Sequence, residues 1–416
     1  MKKLLLGAGA VVVLVAAGLI AYGLYRKHEG RNIRGNPTVE FVTTQENKSK
    51  PNVSTPWPMY RFDPSREGVP VGVPTDLKPP LRAKWFIRGK SLIEFPPAIA
   101  YGNLYFANSL GSLFAVKITR VREEWGYRTG RCTAASPAVA DHIVYMAFLN
   151  KPPCNATRSG LTGELVALDA ETGKVRWKVS MAPTESSPLV AGGLVYVGDW
   201  SGKVYAFNAK SGRVVWTYQT GDKVKDGLAY AGGRVYVGSY DSHVYALGAR
   251  TGKLIWKAGA QQRLGARGRF YSTPAVAYGR VYIGGTDGKM YSFGATSGKL
   301  RWSHGTGSYV YASPAVWNQR VYAGSYDGTF YAFDAATGDV RWKFKTAGPI
   351  SGSAVVINGV VYVACFGGRT YGLDARTGKV LWVFKRGRYA GVVADTVRLY
   401  VVGYGRIFAF FPRNRR

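Results

Sequence analysis

The sequence predicts an all-β fold, an eight-bladed β-propeller of four-stranded antiparallel blades, preceded by one N-terminal transmembrane helix. Two observations predict the propeller: tryptophan recurs at intervals of about 40 residues, and six of the eight repeated tryptophans follow a glycine by four residues. An uncharged run near the N-terminus predicts the helix. The repeated tryptophans are Trp85, Trp125, Trp177, Trp216, Trp256, Trp302, Trp342 and Trp382.

Each repeat is predicted to contain four short strands, A to D. In one unit, strand A begins with "ASPAVW" (312–317), strand B is "RVYAGS" (320–325), strand C is "TFYAFDA" (329–335) and strand D is "VRWKF" (340–344). An Asp-Gly hairpin signal separates B from C, and a Thr-Gly pair stands between C and D. Four short antiparallel strands repeated in this way are typical of a propeller blade.

The ring is predicted to close through a strand from the N-terminal side of the domain. The last A–B–C run, 389–411, has no D strand after it, whereas "LRAKWFI" (81–87) is a D-type strand without a blade. We therefore expect residues 57–416 to form one propeller domain in which 81–87 completes the eighth blade. Such closure leaves no sheet edge open to aggregation.

The repeat "VYALDAxTGKxxW" resembles that of the PQQ-type (quinoprotein-like) β-propeller family, over about residues 57–412. The opening "WPMYRFDPSREG" (57–68) resembles the lead-in of such domains. This family includes PQQ-dependent alcohol and glucose dehydrogenases and a non-enzymatic, BamB-like branch of assembly scaffolds. The resemblance implies that the tryptophan of strand D docks between neighbouring blades and that the Asp of the C–D turn holds the docking geometry.

The variation among repeats at this Asp position indicates that Asp334 has a structural role and not a catalytic one. Its counterparts in the other repeats vary, and a repeated, substitutable residue is a poor candidate for a unique catalytic base. We therefore expect Asp334 to accept backbone N–H groups in its turn. The counterparts are Lys117, Asp169, Asn208, Gly248, Gly294 and Asp374.

The sequence favours a binding protein over an enzyme. It has no vicinal Cys-Cys pair of the kind that covers the cofactor in PQQ dehydrogenases, and no nucleophile elbow, phosphate loop or metal-ligand spacing. We expect no catalytic residue, no metal site and no cofactor, PQQ being implied by the resemblance alone. The predicted function is a membrane-anchored, extracytoplasmic scaffold for protein binding or assembly. The alternatives are a PQQ- or sugar-dependent envelope oxidoreductase and an envelope sensor.

Residues 1–27 are predicted to be a cytoplasmic tip and an uncleaved signal anchor. Leu4–Tyr25 contains 22 residues without a charge, and a helix of that length is about 33 Å long, enough to cross a bilayer core. No convincing cleavage motif follows it. Residues 28–56 are polar and lack apolar periodicity, which predicts a flexible tether.

Two arguments disagree on the side of the membrane that holds the propeller. Lys2 and Lys3 precede the apolar run, whereas four basic residues follow it between positions 26 and 34. The positive-inside rule therefore places the propeller in the cytoplasm. The resemblance implies export, because such propellers are usually extracytoplasmic, and on that ground we predict an extracytoplasmic, single-pass membrane protein.

A binding site is predicted on one face of the ring. Propeller geometry places the D–A and B–C loops on one face, called the loop face below, and the A–B and C–D turns on the other, called the corner face. Two insertions that break the repeat, 150–163 and 258–272, both belong to the loop face, where elaborated loops carry function. The candidate binding residues there are Trp200, Tyr240, Tyr326, Phe366, Tyr404, Arg263, Arg267 and Arg269.

Two features of the loop face leave alternatives open. The aromatic residues of the B–C hairpins could stack on a ligand, or they could cover the edges of adjacent blades. Cys132 and Cys154 fall on the same face and could form a disulfide that staples the first insertion, or remain two thiols.

The strong positive charge indicates anionic surroundings. The formal net charge is +32, and basic residues occur on both faces, so charge does not mark one site. Anionic lipid headgroups or wall polymers beside a tethered domain, together with envelope proteins, are the predicted partners. No recognition motif supports a nucleic-acid partner.

Overall fold

Eight four-stranded antiparallel sheets form a ring in the computed structural model of this protein, which describes residues 30–43, 54–70, 72–154, 160–263 and 266–413. Each sheet is one blade, and its strands follow the chain from A to D. Within these ranges no helix is long and apolar enough to cross a membrane. The predicted anchor helix over residues 4–25 lies outside the described residues.

The first four blades follow one another without interruption. Their strands are β2 (Ala98–Ala100), β3 (Asn103–Ala107), β4 (Ser112–Lys117) and β5 (Arg122–Arg128); β6 (Ala138–Ala140), β7 (Ile143–Phe148), β8 (Gly163–Asp169) and β9 (Val175–Met181); β10 (Leu189–Ala191), β11 (Leu194–Gly198), β12 (Lys203–Asn208) and β13 (Val214–Gln219); and β14 (Ala229–Ala231), β15 (Arg234–Gly238), β16 (His243–Gly248) and β17 (Leu254–Gly259).

A short hairpin in the second insertion separates blade four from blade five. It consists of β18 (Gln262–Arg263) and β19 (Ala266–Arg267). The strands of blades five to seven are β20 (Ala275–Ala277), β21 (Arg280–Gly284), β22 (Lys289–Gly294) and β23 (Leu300–Gly305); β24 (Ala315–Trp317), β25 (Arg320–Gly324), β26 (Thr329–Asp334) and β27 (Val340–Lys345); and β28 (Val355–Ile357), β29 (Val360–Cys365), β30 (Arg369–Asp374) and β31 (Val380–Phe384).

The eighth blade joins the two ends of the domain. It contains β32 (Val393–Ala394), β33 (Leu399–Gly403) and β34 (Arg406–Pro412), and its outer strand is β1 (Leu81–Arg88). The pairing of β1 with β34 runs antiparallel from Leu81–Pro412 to Arg88–Arg406. The eight-bladed fold predicted from the tryptophan period is therefore confirmed, and the ring closes through the strand that had no blade of its own.

Burial explains why the strands differ in composition. The A strands contact one another around the axis and the D strands lie on the outside. In blade six, β25 is almost entirely buried, whereas four of the six residues of β27 are exposed, with Arg341, Lys343 and Lys345 at alternate positions. Inner strands packed between two neighbouring blades can be continuously apolar, whereas an outer strand with one solvated face alternates.

The tryptophans of strand D dock each blade on the next. The indole N–H of Trp302 in blade five donates to the carbonyl of Ala335 in blade six at 2.8 Å. Gly338 packs on the same ring: it has a φ of 77°, and a Cβ there would lie 2.7 Å from Trp302 Cδ2. Only glycine suits both the backbone and the close approach. The same N–H to alanine carbonyl bond is made by Trp125, Trp177, Trp216, Trp256 and Trp342.

Trp85 and Trp382, which flank the closure of the ring, pack on aromatic rings of blade eight. The ring centroid of Trp85 is 5.9 Å from that of Tyr400, and the Trp382 centroid is 5.0 Å from that of Phe410.

Asp334 organises the C–D turn of blade six. Its Oδ1 accepts from the backbone N–H of Ala336 at 3.0 Å and of Thr337 at 2.9 Å, and its Oδ2 pairs with Arg341 at 2.6 Å. Asn208 accepts equivalent turn N–H groups in blade three. An amide that does the same work supports the architectural interpretation of Asp334.

The lead-in segment 57–68 fills the centre of the ring. Its backbone carbonyls accept from the middle N–H groups of successive A strands, including Val139, Tyr230 and Val276 at 2.7 to 2.9 Å. Those N–H groups face the axis and have no neighbouring strand, so this plug satisfies them. Further along the chain, Glu67 and Gly68 bond in the same way to Val316 and Val356.

Within the predicted tether, residues 30–43 pack against blades five and six. Residues 44–53 lie outside the described residues.

Candidate functional site

A pocket opens at the centre of the loop face. Its volume is about 360 Å³, and its floor is the plug, through Trp57, Tyr60 and Arg61. Loops of blades four to eight contribute most of its wall. The plug therefore converts the central channel into a cavity that is open on the loop face.

Aromatic rings form a continuous arc around one side of this pocket. Neighbouring ring centroids are 4.9 to 6.0 Å apart, and most of the pairs are edge-to-face, the arrangement that aromatic quadrupoles favour. Each ring is therefore held by its neighbours. In order, the arc contains Tyr240, Tyr271, Tyr311, Tyr326, Phe366 and Tyr389.

Residues at one equivalent position of the repeat differ in type around the pocket. The residue four positions before each A strand belongs to a D–A loop; five of these eight residues line the pocket, and Glu185 and Lys225 lie beside Tyr271. In blades five, six and eight it is tyrosine, whereas in blades one, three and four it is charged. From blade one to blade eight these residues are Glu94, Ala134, Glu185, Lys225, Tyr271, Tyr311, Ser351 and Tyr389.

Two buried arginines hold the plug in place. The five N–H donors of Arg61 bond to five backbone carbonyls, those of Arg66, Glu67, Ser313, Pro314 and Ala354. Arg66 bonds to carbonyls of blades three and four, including Leu228 at 2.9 Å. Burial lowers the pKa of each guanidinium to about 10, so both remain charged at neutral pH. They stabilise the architecture, and no donor of Arg61 is left for a ligand.

Two carboxylates also line the pocket, those of Asp226 and Glu94. Asp226 is half-buried and accepts from the N–H groups of Gly227 at 2.7 Å and Thr273 at 2.8 Å. Burial raises the pKa of Asp226 to about 6. Glu94 lies at the mouth of the pocket. Partial burial raises the pKa of Glu94, and repulsion from Glu185 raises it further.

Glu185 and Lys225 form an ion pair beside the aromatic arc. Lys225 Nζ lies 2.9 Å from Glu185 Oε1, and the Tyr271 hydroxyl donates to Glu185 Oε2 at 2.9 Å. The same ammonium lies 4.7 Å from the Trp200 ring centroid and 5.5 Å from that of Tyr240. This internal contact shows that the aromatic rings here can bind a cationic group.

The predicted aromatic residues divide between the pocket and its surroundings. Tyr240, Tyr326 and Phe366 line the pocket. Trp200 lies outside the pocket lining, where its ring contacts the ammonium group of Lys225. Tyr404, which is 57% exposed, lies in a separate depression beside Arg388.

The predicted basic residues belong to the hairpin insertion and not to the pocket wall. Arg269 lies over the Tyr240 ring at 5.4 Å, and Arg267 approaches His243 at 3.5 Å. Arg263 pairs through its backbone with Ala266. Cys132 and Cys154 are disulfide-bonded, with 5.5 Å between their Cα atoms. Cys365 is a buried free thiol.

Three pocket residues, Tyr271, Tyr311 and Tyr389, were not among the predicted binding residues, although the sequence contains a signal for them. All three occur four residues before an A strand, and aligning the repeats on that strand would have placed them on one ring. The plug carried no such signal, because its bonds run from backbone carbonyls to blades far away in sequence.

Comparison with known proteins gives one family and several partial relatives. The family described as outer membrane protein assembly factor BamB matches residues 155–225, 201–313 and 309–415. The BamB protein of Escherichia coli is 35% identical over 91 residues, which are 19% of this chain and 20% of that protein. Tetrathionate hydrolase of Acidithiobacillus ferrooxidans is 33% identical over 100 residues, 22% of this chain and 20% of that protein. The matched stretch thus spans about a fifth of the length of these relatives.

Two solved structures share the fold at low sequence identity. BamB of Moraxella catarrhalis has a TM-score of 0.65 and 21% identity, covering 80% of this chain and 99% of the other. A europium-containing methanol dehydrogenase has a TM-score of 0.71 and 14% identity, covering 87% and 99%. At such identities the likeness establishes the propeller fold and nothing about the ligand.

Proposed function

Because the chain belongs to the family of the outer membrane protein assembly factor BamB, we propose that it is a scaffold that binds a partner protein at the cell envelope. The observation that carries this proposal is the aromatic pocket at the centre of the loop face. Rigid aromatic side chains around a desolvated cavity are the usual anchors of protein recognition. The partner docks on the loop face and inserts a side chain into the pocket.

The pocket chemistry favours a basic side chain as the inserted group. Asp226 and Glu94 contribute negative charge to the lining of the pocket, and the aromatic arc contributes ring surface. A guanidinium or ammonium group is attracted by both. Lys225, held by Glu185 beside Trp200 and Tyr240, is an internal example of the same arrangement.

The proposed location of the propeller is extracytoplasmic. The uncharged run Leu4–Tyr25 anchors the protein in the membrane. Family membership supports an envelope location. The Cys132–Cys154 disulfide supports an oxidising compartment. The distribution of basic residues around the run argues the other way, so a protease-protection assay on intact cells is the direct test.

The pocket residues do not fit PQQ, the cofactor that quinoprotein-type propellers imply. PQQ is a planar quinone that carries several carboxylates, so its pocket would offer available cations. The donors of Arg61 are all bonded to carbonyls, Lys225 is paired with Glu185, and Asp226 and Glu94 would repel an anion. An anionic quinone is therefore not a ligand that this pocket recognises.

The function is tested by recovering the partner with matched variants. Tyr326→Ala combined with Phe366→Ala removes two rings from the pocket, and Tyr404→Ala removes an exposed ring on the same face but outside it. Purified from detergent-solubilised membranes, the wild type and Tyr404→Ala should retain the same partner. The pocket variant should lose it at least about tenfold, since aromatic anchors typically contribute 2 kcal/mol or more.

Two results would contradict the scaffold proposal. One is equal recovery of the partner by the pocket variant, provided that this variant melts as a folded protein. The other is dye-linked alcohol oxidation by the purified wild type after addition of PQQ and Ca²⁺.

A further inference from the structure

Residues 30–43, called the strap below, run along the outer edge of blade five and pair with its D strand at one antiparallel bridge. Ile33 and Ser303 exchange two backbone hydrogen bonds of 3.0 Å each across an antiparallel bridge. Next to this bridge, the N–H of Gly305 donates to Asn32 Oδ1 at 2.8 Å. The strap then crosses the corner face, where the N–H of Val42 donates to the Tyr278 carbonyl at 3.1 Å.

The corners of blades two and six show what blade five lacks. In each of them an Asp at the C–D turn pairs with an Arg seven residues later: Asp169 with Arg176, and Asp334 with Arg341, both at 2.6 Å. Blade five keeps the arginine, Arg301, but has Gly294 in place of the aspartate. Its corner therefore has the cation of the pair without the carboxylate.

Glu40 of the strap supplies the missing carboxylate. Its Oε1 accepts from the N–H of Ser297 at 3.0 Å, and its Oε2 accepts from the Ser297 hydroxyl at 2.7 Å and from Arg301 Nε at 2.8 Å. These are the positions that Thr337 and Arg341 occupy around Asp334. A side chain on Gly294 would collide with Glu40 Oε2. The carboxylate of Glu40 thus lies where an aspartate at position 294 would place its own.

The other blades serve as internal controls for this match. Blade four has Gly248 at the turn but Ile255 where the arginine would be, and no described segment supplies a carboxylate there. Across blades one to seven, arginine occurs at this position in blades two, five and six. Each of those three corners contains a carboxylate, from its own turn or from Glu40.

Further contacts fasten the strap across two blades. The buried side chain of Arg280 donates to the carbonyls of Val39 and Glu40, the latter at 2.6 Å. Arg34 pairs with Asp339 of blade six at 2.9 Å. A Cβ on Gly35 would lie 3.1 Å from Trp302 Cδ1, so the strap covers the docking tryptophan of blade five.

The strap ends at the rim of the loop face. Lys289 Nζ donates to the carbonyls of Gly30 and Arg31, and Gln261 Nε2 donates to Arg31 at 3.2 Å. Lys289 begins strand β22 directly after a B–C hairpin, and Gln261 belongs to a D–A loop. Gly30, the first described residue, therefore lies beside blade five, on the side of the pocket.

We propose that the strap, locked into the corner of blade five by Glu40, holds the N-terminal anchor at the rim of the loop face, so that the pocket opens toward the membrane. The partner that this surface then receives is the membrane-proximal part of an integral membrane protein. The orientation rests on the proposed anchor, whereas the docking of the strap does not.

Hydrogen exchange of the full chain in lipid nanodiscs tests the docking. Gly294→Asp places a second carboxylate where Glu40 lies, at a backbone conformation that aspartate tolerates, and should release the strap. Glu40→Gln removes the charge. Peptides over residues 30–43 should exchange at least about tenfold faster in both variants, because opening of the strap controls their protection. The matched control Asp169→Asn, at the equivalent corner of blade two, should leave them unchanged. Unchanged exchange in both strap variants would overturn the proposal.

Fluorescent labels tested against a quencher lipid measure the orientation. Leu110→Cys places a label on a B–C hairpin of the loop face, and Val121→Cys places one on a C–D turn of the corner face; both wild-type side chains are exposed. The label at 110 should be quenched more strongly, and Gly294→Asp should abolish the difference. Stronger quenching at 121 would refute the orientation. Absence of quenching at both sites would refute the anchor, while exchange would still report on the strap.

Discussion

Substitution of Trp302 by alanine tests whether docking of strand D tryptophans stabilises the ring. The indole of Trp302 is fully buried, between Gly338 of blade six and Gly35 of the strap. Truncating a buried tryptophan typically costs about 3–5 kcal/mol. The partner carbonyl of Ala335 also accepts from the Tyr282 hydroxyl at 3.1 Å, so the substitution leaves no unsatisfied acceptor. The expected loss is therefore in packing, about 3–4 kcal/mol.

Two matched variants separate packing from hydrogen bonding. Trp302→Phe keeps an aromatic ring and loses the N–H, so it should cost less than Trp302→Ala by about 2 kcal/mol or more. Trp342→Ala removes the equivalent residue of blade six, which no strap covers and which remains partly exposed. It should cost less than Trp302→Ala.

Guanidinium denaturation followed by far-ultraviolet circular dichroism measures these differences without relying on tryptophan fluorescence. The midpoint should fall in the order wild type, Trp302→Phe, Trp302→Ala, with Trp342→Ala above Trp302→Ala. A loss below about 1 kcal/mol for Trp302→Ala, the size expected of an ordinary surface change, would refute the docking role.

Three further predictions follow from the turn, the pocket and the insertion. Asp334→Asn should lower the free energy of unfolding by less than about 1 kcal/mol, because Asn208 performs the same turn function and the ion pair with Arg341 is partly exposed. Loss of partner binding without a change in melting temperature would contradict the structural role of Asp334. Burial raises the pKa of Asp226 to about 6, so the folded state holds this proton more tightly than the unfolded state, and the stability contributed by this group falls as the pH rises from about 4 to about 6. Asp226→Asn should flatten that part of the melting-temperature profile, whereas a profile identical to that of the wild type would contradict the assignment. Reduction of Cys132–Cys154, whose sequence separation is 22, should lower stability by about 2–4 kcal/mol, measured as a drop in melting temperature with dithiothreitol that a Cys132→Ser, Cys154→Ser variant does not show.

The architecture was predictable because the same contact is repeated. Trp342 and its counterparts stand at one position of each unit, and the Thr-Gly pair that packs on the preceding blade recurs with them. Period and turn chemistry therefore identified the blades, and the D-type strand 81–87 could be matched to the one blade without an outer strand.

The plug and the strap could not be predicted from local pattern. Arg61 and Arg66 belong to a short segment of mixed aromatic and charged residues, and their burial depends on carbonyls of blades that follow much later in the chain. Glu40 belongs to a segment with the composition of a tether. Its partner Arg301 becomes informative only when Gly294 is recognised as a missing aspartate.

The pocket was predicted in part, because its aromatic residues were sought only at the B–C hairpins, although both loop sets were assigned to the loop face. The B–C hairpins identified Tyr240, Tyr326 and Phe366, which line the cavity. The D–A loops contributed Tyr271 and Asp226, which require knowledge of the distance to the next A strand. The existence of a floor depends on the plug.

Site-specific photo-crosslinking in intact cells tests the central claim that the loop face is the partner surface. A photoreactive phenylalanine analogue replaces Tyr326 in the pocket or, as the control, Lys210 on the exposed C–D turn of blade three. We expect one discrete protein adduct from position 326 and none from position 210. Adducts from position 210 alone, or the same adduct from both positions, would contradict it.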